Sequence, residues 1–225
     1  MHELHLLSRI PLFTGLTKRE LQKLVQITRH QHFARHHVII KAGERGNVLF
    51  ILLRGIVRVS MEGSRGKEII LGMLYPNDFF GEMALLDGLP RSATVTAMED
   101  CEVLVITRQD FLECIKKLPQ VAAKIIIALS LRIRRTDQKL ENLVLLRAPR
   151  RVARTLLEVA RAQGQPTKRG VAVDLRFTRR ELAELAGVSR ETFARLLTKF
   201  QQMGVLTIER RSLLIPDTRR LEDLG

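Results

Sequence analysis

Two stretches of the chain gather residues whose types and spacing could do chemistry. In the first, Phe80-Gly81-Glu82-Met83-Ala84-Leu85 is followed shortly by Pro90-Arg91-Ser92-Ala93-Thr94-Val95. A glycine at 81 lets the backbone come close to a ligand, because no Cβ stands in the way. Arg91 offers a guanidinium fork that matches a phosphate, and the backbone N–H groups of Ser92 and Ala93 can share the negative charge. Glu82 can accept from a sugar hydroxyl. An acid and an arginine held together, without a catalytic base, a nucleophile or a metal set, imply binding rather than turnover. The alternative on spacing alone is a structural Glu82–Arg91 ion pair within a turn.

The second stretch spans residues 177–204. Thr178 stands where it can cap a short helix beginning at Arg179, Ala186-Gly187-Val188 reads as a tight turn, and Ser189 caps a second helix running to about Met203. Helix, glycine-containing three-residue turn and second helix is the spacing of a helix-turn-helix. The second helix sorts by face. Phe193, Leu196, Leu197 and Phe200 fall on one side, while Arg190, Glu191 and Arg195 lie on the other in its first turns. Early residues of such a helix are the ones that meet base edges. Residues 205–208 and 212–215 flank Glu209-Arg210-Arg211 as a β-hairpin, the wing of a winged helix. A solvated helical pair inside an all-α domain is the alternative.

Other reactive side chains carry less. All six histidines lie in the first 37 residues, and His30, His32, His36 and His37 invite a metal reading. They lack nearby cysteine or acidic partners, so a solvated strand-and-turn cluster is expected. Cys101 and Cys114 form neither a disulfide scaffold nor a cluster site, and are expected as partly buried, inert thiols.

The elements that must position these residues follow from periodicity. Leu16, Leu21, Leu24, Val25 and Ile27 mark a helical face within the first 30 residues, and Thr17 with Glu20 has capping-box spacing. From Gln31 the period changes. Short β-rich runs at 38–40, 48–53, 56–59, 68–74, 92–97 and 101–107 alternate with turn signals at Gly43, Gly46, Gly55, Gly63-Ser64, Gly66 and Pro76-Asn77-Asp78. That spacing means a small barrel or jelly roll. Residues 108–118 turn helical. Pro119 opens a long helix to about Leu146, with Ile126, Leu129, Ile133, Thr136, Leu140 and Leu143 at heptad positions. Such a helix either links domains or pairs with its own copy, and here it is expected to do both. Ala148-Pro149 marks the next boundary, dividing the chain into a sensor-like region (1–118), the long helix (119–147) and a C-terminal domain (148–225).

Composition narrows the partners. The 225 residues carry 45% hydrophobic and 28% charged side chains, enough to bury a core and to exclude wholesale disorder. Thirty-eight Lys+Arg against twenty-four Asp+Glu leave a formal charge of +14. Residues 150–225 hold sixteen basic and nine acidic residues, a positive density about twice that of the rest, so this half is expected to meet a polyanion. No secretory leader is read in the first ten residues, and residues 121–131 are too short and too interrupted to span a bilayer. A cytoplasmic setting is expected.

Together the two stretches resemble the cyclic-AMP receptor protein/Fnr family of bacterial transcription regulators, across about residues 8–215. The Gly43/Gly46/Gly55 pattern is similar to that family's cyclic-nucleotide cassette. Residues 80–85 with 90–95 resemble its phosphate-binding cassette, and Ser189-Arg190-Glu191-Thr192-Phe193-Ala194-Arg195 its recognition helix. The resemblance implies an α+β chain: an N-terminal β-barrel (jelly-roll) cyclic-nucleotide-binding cassette, a long dimerisation helix and a C-terminal winged helix-turn-helix. It implies that Gly81 and Glu82, with Met83 and Ala84 beside them, hold a ribose, and that Arg91, Ser92 and Ala93 hold a cyclic phosphate. Thr136 matches the position that bonds the adenine. The next position, a serine in the cyclic-AMP receptor, is Asp137 here, which can accept from an adenine amino group but cannot donate. The resemblance further implies that Arg190, Glu191 and Arg195 read bases in a TGTGA-like inverted repeat, while Arg179, Ser189 and Thr192 hold phosphates. RNA polymerase is implied as a partner, and no iron–sulfur cluster.

The expected function is a homodimeric, sequence-specific, DNA-binding transcription regulator controlled by a cyclic nucleotide, cyclic AMP first, with no enzymatic activity, metal or resident cofactor. Alternatives at this stage are control by cyclic di-GMP, ligand-independent DNA binding, or a nucleotide-sensing module acting on a protein partner. A metal-dependent enzyme built on the barrel is the third class, and it lacks an internal His/acid set.

Overall fold

The computed structural model describes residues 2–63, 68–175, 177–209 and 212–224. The chain divides into two compact units, residues 1–133 and 134–225. The division falls inside the long helix.

The first unit opens with helices α1 (His2–Arg9) and α2 (Lys18–Ile27). Thr17 and Glu20 close the expected capping box: Thr17 Oγ1 accepts from the Glu20 amide, and the Glu20 carboxylate accepts from the Thr17 amide. Eight strands follow: β1 (Thr28–Phe33), β2 (Val38–Ile40), β3 (Val48–Arg54), β4 (Val57–Glu62), β5 (Glu68–Leu74), β6 (Phe79–Phe80), β7 (Thr94–Ala97) and β8 (Cys101–Thr107). Helix α3 (Glu82–Asp87) interrupts them after β6, and α4 (Arg108–Lys117) and α5 (Pro119–Leu145) close the series. Three of these elements were not read from the sequence. β1 begins at Thr28, inside the stretch expected to be helical, and β6 and α3 are too short to show a period. The turn expected at Ser64 and Gly66 lies outside the described residues.

The strands form two antiparallel sheets, ordered β1-β8-β3-β6 and β2-β7-β4-β5. β3 reads Val-Leu-Phe-Ile-Leu-Leu, a continuous apolar run, because both its faces are covered. Phe50 and Leu52 meet Ile40, Val57, Val95 and Ala97 of the opposing sheet. Leu49 and Ile51, pointing the other way, pack under Leu7, Leu24, Phe111, Val121 and Ile125 of the helical layer. One sheet thus has the second sheet on one face and helices on the other.

The second unit begins within α5. It continues as α6 (Ala148–Gln163), strands β9 (Gln165–Thr167) and β10 (Gly170–Asp174), helices α7 (Arg179–Leu185) and α8 (Arg190–Gln202), strands β11 (Thr207–Glu209) and β12 (Ser212–Ile215), and α9 (Thr218–Glu222). Its sheet runs β11-β12-β10-β9. The wing hairpin therefore pairs with a second hairpin that the sequence had not shown, and the Arg210-Arg211 turn lies outside the described residues. α6 lies against α7, α8, α9 and β10, with Val152, Leu156 and Val159 buried on its inner face.

Candidate nucleotide and DNA sites

The cassette is built around two glycines. Gly81 takes φ +83° as the N-cap of α3, a left-handed conformation that side-chain-bearing residues resist. A Cβ there would stand 2.6 Å from Arg91 Nη1 and 3.2 Å from the Val48 carbonyl oxygen. At Gly46 a Cβ would fall 2.1 Å from Arg91 Nε, so only glycine leaves room for this arginine to lie where it does. The main chain of Arg91 is zipped to the same loop: its N–H donates to the Glu44 carbonyl and its carbonyl accepts from the Gly43 N–H, both at 2.8 Å.

Arg91 is 8% exposed. Its Nη1 donates to the Gly81 carbonyl at 2.7 Å and its Nη2 to the Val48 carbonyl at 2.8 Å. Burial lowers its proton affinity, partly offset by the nearby Glu82 carboxylate. Glu82, 1% exposed, makes its ion pair elsewhere, so the simple Glu82–Arg91 pair considered from spacing is not what forms. Arg132 of α5 donates to Glu82 Oε1 at 2.7 Å and to the Phe79 carbonyl at 2.8 Å, with its guanidinium 5.5 Å from the centre of the Phe79 ring. Sequence reasoning missed Arg132. A basic residue among several on a long helix gives no local sign that a carboxylate fifty positions away will meet it.

Around this pair, Met83 is exposed and Ala84 buried on α3. Ser92 is exposed and its hydroxyl lies 3.6 Å from Met83 Sδ, while Ala93 is half-buried. The structure thus gathers Gly81, Glu82, Met83, Ala84, Arg91, Ser92 and Ala93 into one region of the first unit. Thr136 and Asp137 are exposed on α5 and belong to the second unit.

The heptad face divides. Ile126, Ile133 and Leu140 are 64%, 62% and 58% exposed, whereas Leu129 packs against the core of its own unit beside Ala128. Leu129 therefore belongs to the inner face with Val121 and Ile125, one helical step from where the heptad reading put it. The side chain of Leu143 lies outside the described residues.

In the second unit, Thr178 closes a capping box with Glu181, and Ser189 Oγ accepts from the Thr192 amide at 3.2 Å. Phe193, Leu196, Leu197 and Phe200 are buried, while Arg190, Glu191 and Arg195 are exposed along α8 and Arg179 is exposed at the start of α7. The Glu191 carboxylate is held below the usual range by its own backbone N–H and by the Ser189 hydroxyl. The turn between the helices is clasped by Arg151 of α6, whose Nε donates to the Ala186 carbonyl and Nη2 to the Gly187 carbonyl. Arg151 was also missed, since it precedes the turn by thirty-five residues.

The histidines form no metal set: among the described residues no group of three or more His, Cys, Asp or Glu could hold an ion. His30 instead faces Glu102 at 3.1 Å on the exposed strand β1. Both cysteines are buried free thiols. No described helix is long and apolar enough to cross a membrane.

A jelly-roll cassette with a buried arginine and glutamate, followed by a long helix and a winged helix-turn-helix, defines a ligand-sensing, DNA-binding regulator. Residues 30–117 match the cyclic nucleotide-binding domain and residues 150–224 the Crp-like helix-turn-helix domain. The chain is 30% identical over 216 residues to the CRP-like cAMP-activated global transcriptional regulator of Mycobacterium tuberculosis, covering 96% of each chain. It is 33% identical to the cyclic AMP receptor protein of Thermus thermophilus, again over 96% of both. The structure of FixK2 from Bradyrhizobium japonicum has the same fold, with a TM-score of 0.79 at 23% identity, over 88% of this chain and 98% of that one. The chain belongs to the CRP/FNR family of transcription regulators.

Proposed function

We propose that the protein is a homodimeric, sequence-specific DNA-binding regulator whose affinity for DNA is set by a cyclic nucleotide, cyclic AMP in the first place. The observation that carries the reading is the presence of two buried, oppositely charged side chains, Arg91 and Glu82, beside the left-handed Gly81, each held by other partners. A guanidinium has five N–H donors. Two of those on Arg91 go to main-chain carbonyls, which orient the group and leave the rest for phosphate oxygens, with the Ser92 and Ala93 amides beside them. Arg132 holds one oxygen of Glu82, and the other is the acceptor for a ribose hydroxyl. Thr136 would bond the base, and the Asp137 carboxylate would accept from an exocyclic amino group of the nucleotide held by the second copy. The relatives named as cAMP-activated or as a cyclic AMP receptor support this choice of effector.

In this reading Ile126, Ile133 and Leu140 bury their exposed faces against a second copy. The two α8 helices then enter successive major grooves about one helical turn apart. Arg190 and Arg195 face the O6/N7 edges of guanines and Glu191 the N4 amino group of a cytosine, reading a TGTGA-like inverted repeat. Ser189, Thr192 and Arg179 hold phosphates and set register. RNA polymerase is the partner that such a regulator would address.

Calorimetric titration with a panel of cyclic mono- and dinucleotides tests the effector, cyclic di-GMP being the chief competing ligand. Selection from random duplexes, with and without the bound nucleotide, tests the site. Heat with cyclic AMP and an enriched inverted repeat are expected. Absence of heat with every member of the panel would remove cyclic-nucleotide control.

A further inference from the structure

The Arg151 guanidinium touches three main-chain carbonyls from two parts of the second unit. Nη1 donates at 3.1 Å to Leu146, the residue just after α5, while Nε and Nη2 donate at 3.1 and 3.0 Å to Ala186 and Gly187 in the turn before α8. A single rigid, planar fork therefore spans the exit of the long helix and the hinge of the reading helix. The same end of α5 is held a second time. Arg154, three residues further along α6, donates to Asn142 Oδ1 at 2.8 Å and lies 3.9 Å from Glu158. Lys139 is half-buried near Glu158, and its partial desolvation lowers its proton affinity.

The turn that Arg151 grips is closed by its own main chain around the buried Ala186. Gly187 sits at φ +63°, and its amide donates to Glu184 while the Val188 amide donates to Ala183. Those bonds close the turn on α7 but do not tie it to α5. Arg151 hydrogen-bonds both the turn and the α5 exit, and so ties one to the other.

We propose that Arg151 is the positioning residue that couples the long helix to the reading helix. A shift at the C-terminal end of α5 moves the Leu146 carbonyl, and the planar guanidinium carries that displacement to Ala186-Gly187 and so to the N-terminus of α8. Arginine is required because its donors point along fixed, coplanar directions toward separated acceptors. A lysine ammonium keeps the charge but is a single point at the end of a flexible stem. The proposal rests on effector-controlled DNA binding, and its test separates the two.

Full-length wild-type, Arg151→Gln and Arg151→Lys proteins are compared in two measurements. The first is the ratio of DNA affinities with and without the nucleotide, alongside calorimetric nucleotide affinity. Allosteric couplings are typically about 5–150-fold, and both variants should fall to within about threefold while binding nucleotide as tightly as wild type. A merely structural or charge role would lower both DNA affinities together, or be rescued by lysine, and either result would overturn the proposal. The second is amide exchange at Gly187 and Val188 in the free protein, needing neither effector nor DNA. Faster exchange in both variants is expected, and unchanged exchange would overturn the clamp. If wild type itself shows no effector ratio, cyclic-nucleotide control fails while the exchange result still decides whether Arg151 holds the turn.

Discussion

Arg132 on α5 reaches Glu82 at the start of α3, Nη1 to Oε1 at 2.7 Å, and the carboxylate it meets is 1% exposed. A carboxylate so removed from water must be compensated, and its ion pair comes from the long helix, with the Arg91 charge nearby. The residue proposed to hold a sugar is thus also the residue that holds the helix. A ligand that changes the hydrogen bonding of Glu82 changes what α5 is packed against.

Removing that arginine isolates a buried charge. Arg132→Met should destabilise the protein by about 2 kcal/mol, below the roughly 3–5 kcal/mol of a fully buried pair because the Arg132 side chain is itself partly solvated. Adding Glu82→Gln to Arg132→Met should recover a good part of that loss. Urea denaturation of the two variants checks it, and a double variant no more stable than the single one would mean that Glu82 is not the group being compensated.

Arg91 has a structural task beside the binding task proposed for it. Arg91→Ala deletes a charged donor set in a desolvated site, a loss of about 2–4 kcal/mol or on the order of a hundredfold in nucleotide affinity. It also strips the Gly81 and Val48 carbonyls of their partner. Calorimetry should therefore show weak or absent binding together with a lowered melting temperature. Unaltered nucleotide affinity would place the phosphate elsewhere.

The exposed face of α5 predicts assembly. Ile133→Asp would bury an unpaired carboxylate twice in a symmetric interface, so light scattering should report monomers. Leu129→Asp should behave differently, unfolding the first unit, because Leu129 faces its own core. A fully dimeric, well-folded Ile133→Asp protein would exclude this face as the interface.

The helix-turn-helix separates two kinds of arginine. Arg195→Ala should lose roughly 1–3 kcal/mol per half-site and relax preference at one base position, whereas Arg179→Ala should weaken all sequences alike and flatten the salt slope. Selection from random duplexes and salt titration distinguish them. A selected motif unchanged by Arg195→Ala would remove α8 as the reader.

The Cys114 thiol, 9% exposed, is pushed up to about 11 by burial. Its neutral form is favoured in the folded state, so the associated stability is fully present below about pH 9 and disappears as pH rises through 11, about 3 kcal/mol in all. Neither Cys114 nor Cys101, whose thiol burial also pushes up, should react quickly with a thiol reagent at pH 8. Two thiols should appear on unfolding. Rapid modification of the native protein would contradict this packing.

What the sequence determined by itself was local. Thr17-x-x-Glu20 and Thr178-x-x-Glu181 mark helix starts because cap and third residue bond each other across one turn. The alternating and continuous apolar runs of β3 and β8 mark strands, and the spacing around Gly187 marks the helix-turn-helix. Gly81, Glu82 and Arg91 stood out because their types suit a phosphate and a sugar. Tertiary structure decided what those groups touch. Glu82 pairs with Arg132 rather than Arg91, Leu129 turns inward while Ile133 stays out, and Arg151 joins Leu146 to Ala186 and Gly187. Each of these depends on two segments meeting after the chain has folded. The side chains concerned, long arginines on amphipathic helices, have enough reach and rotamer freedom that no local period reveals their partners.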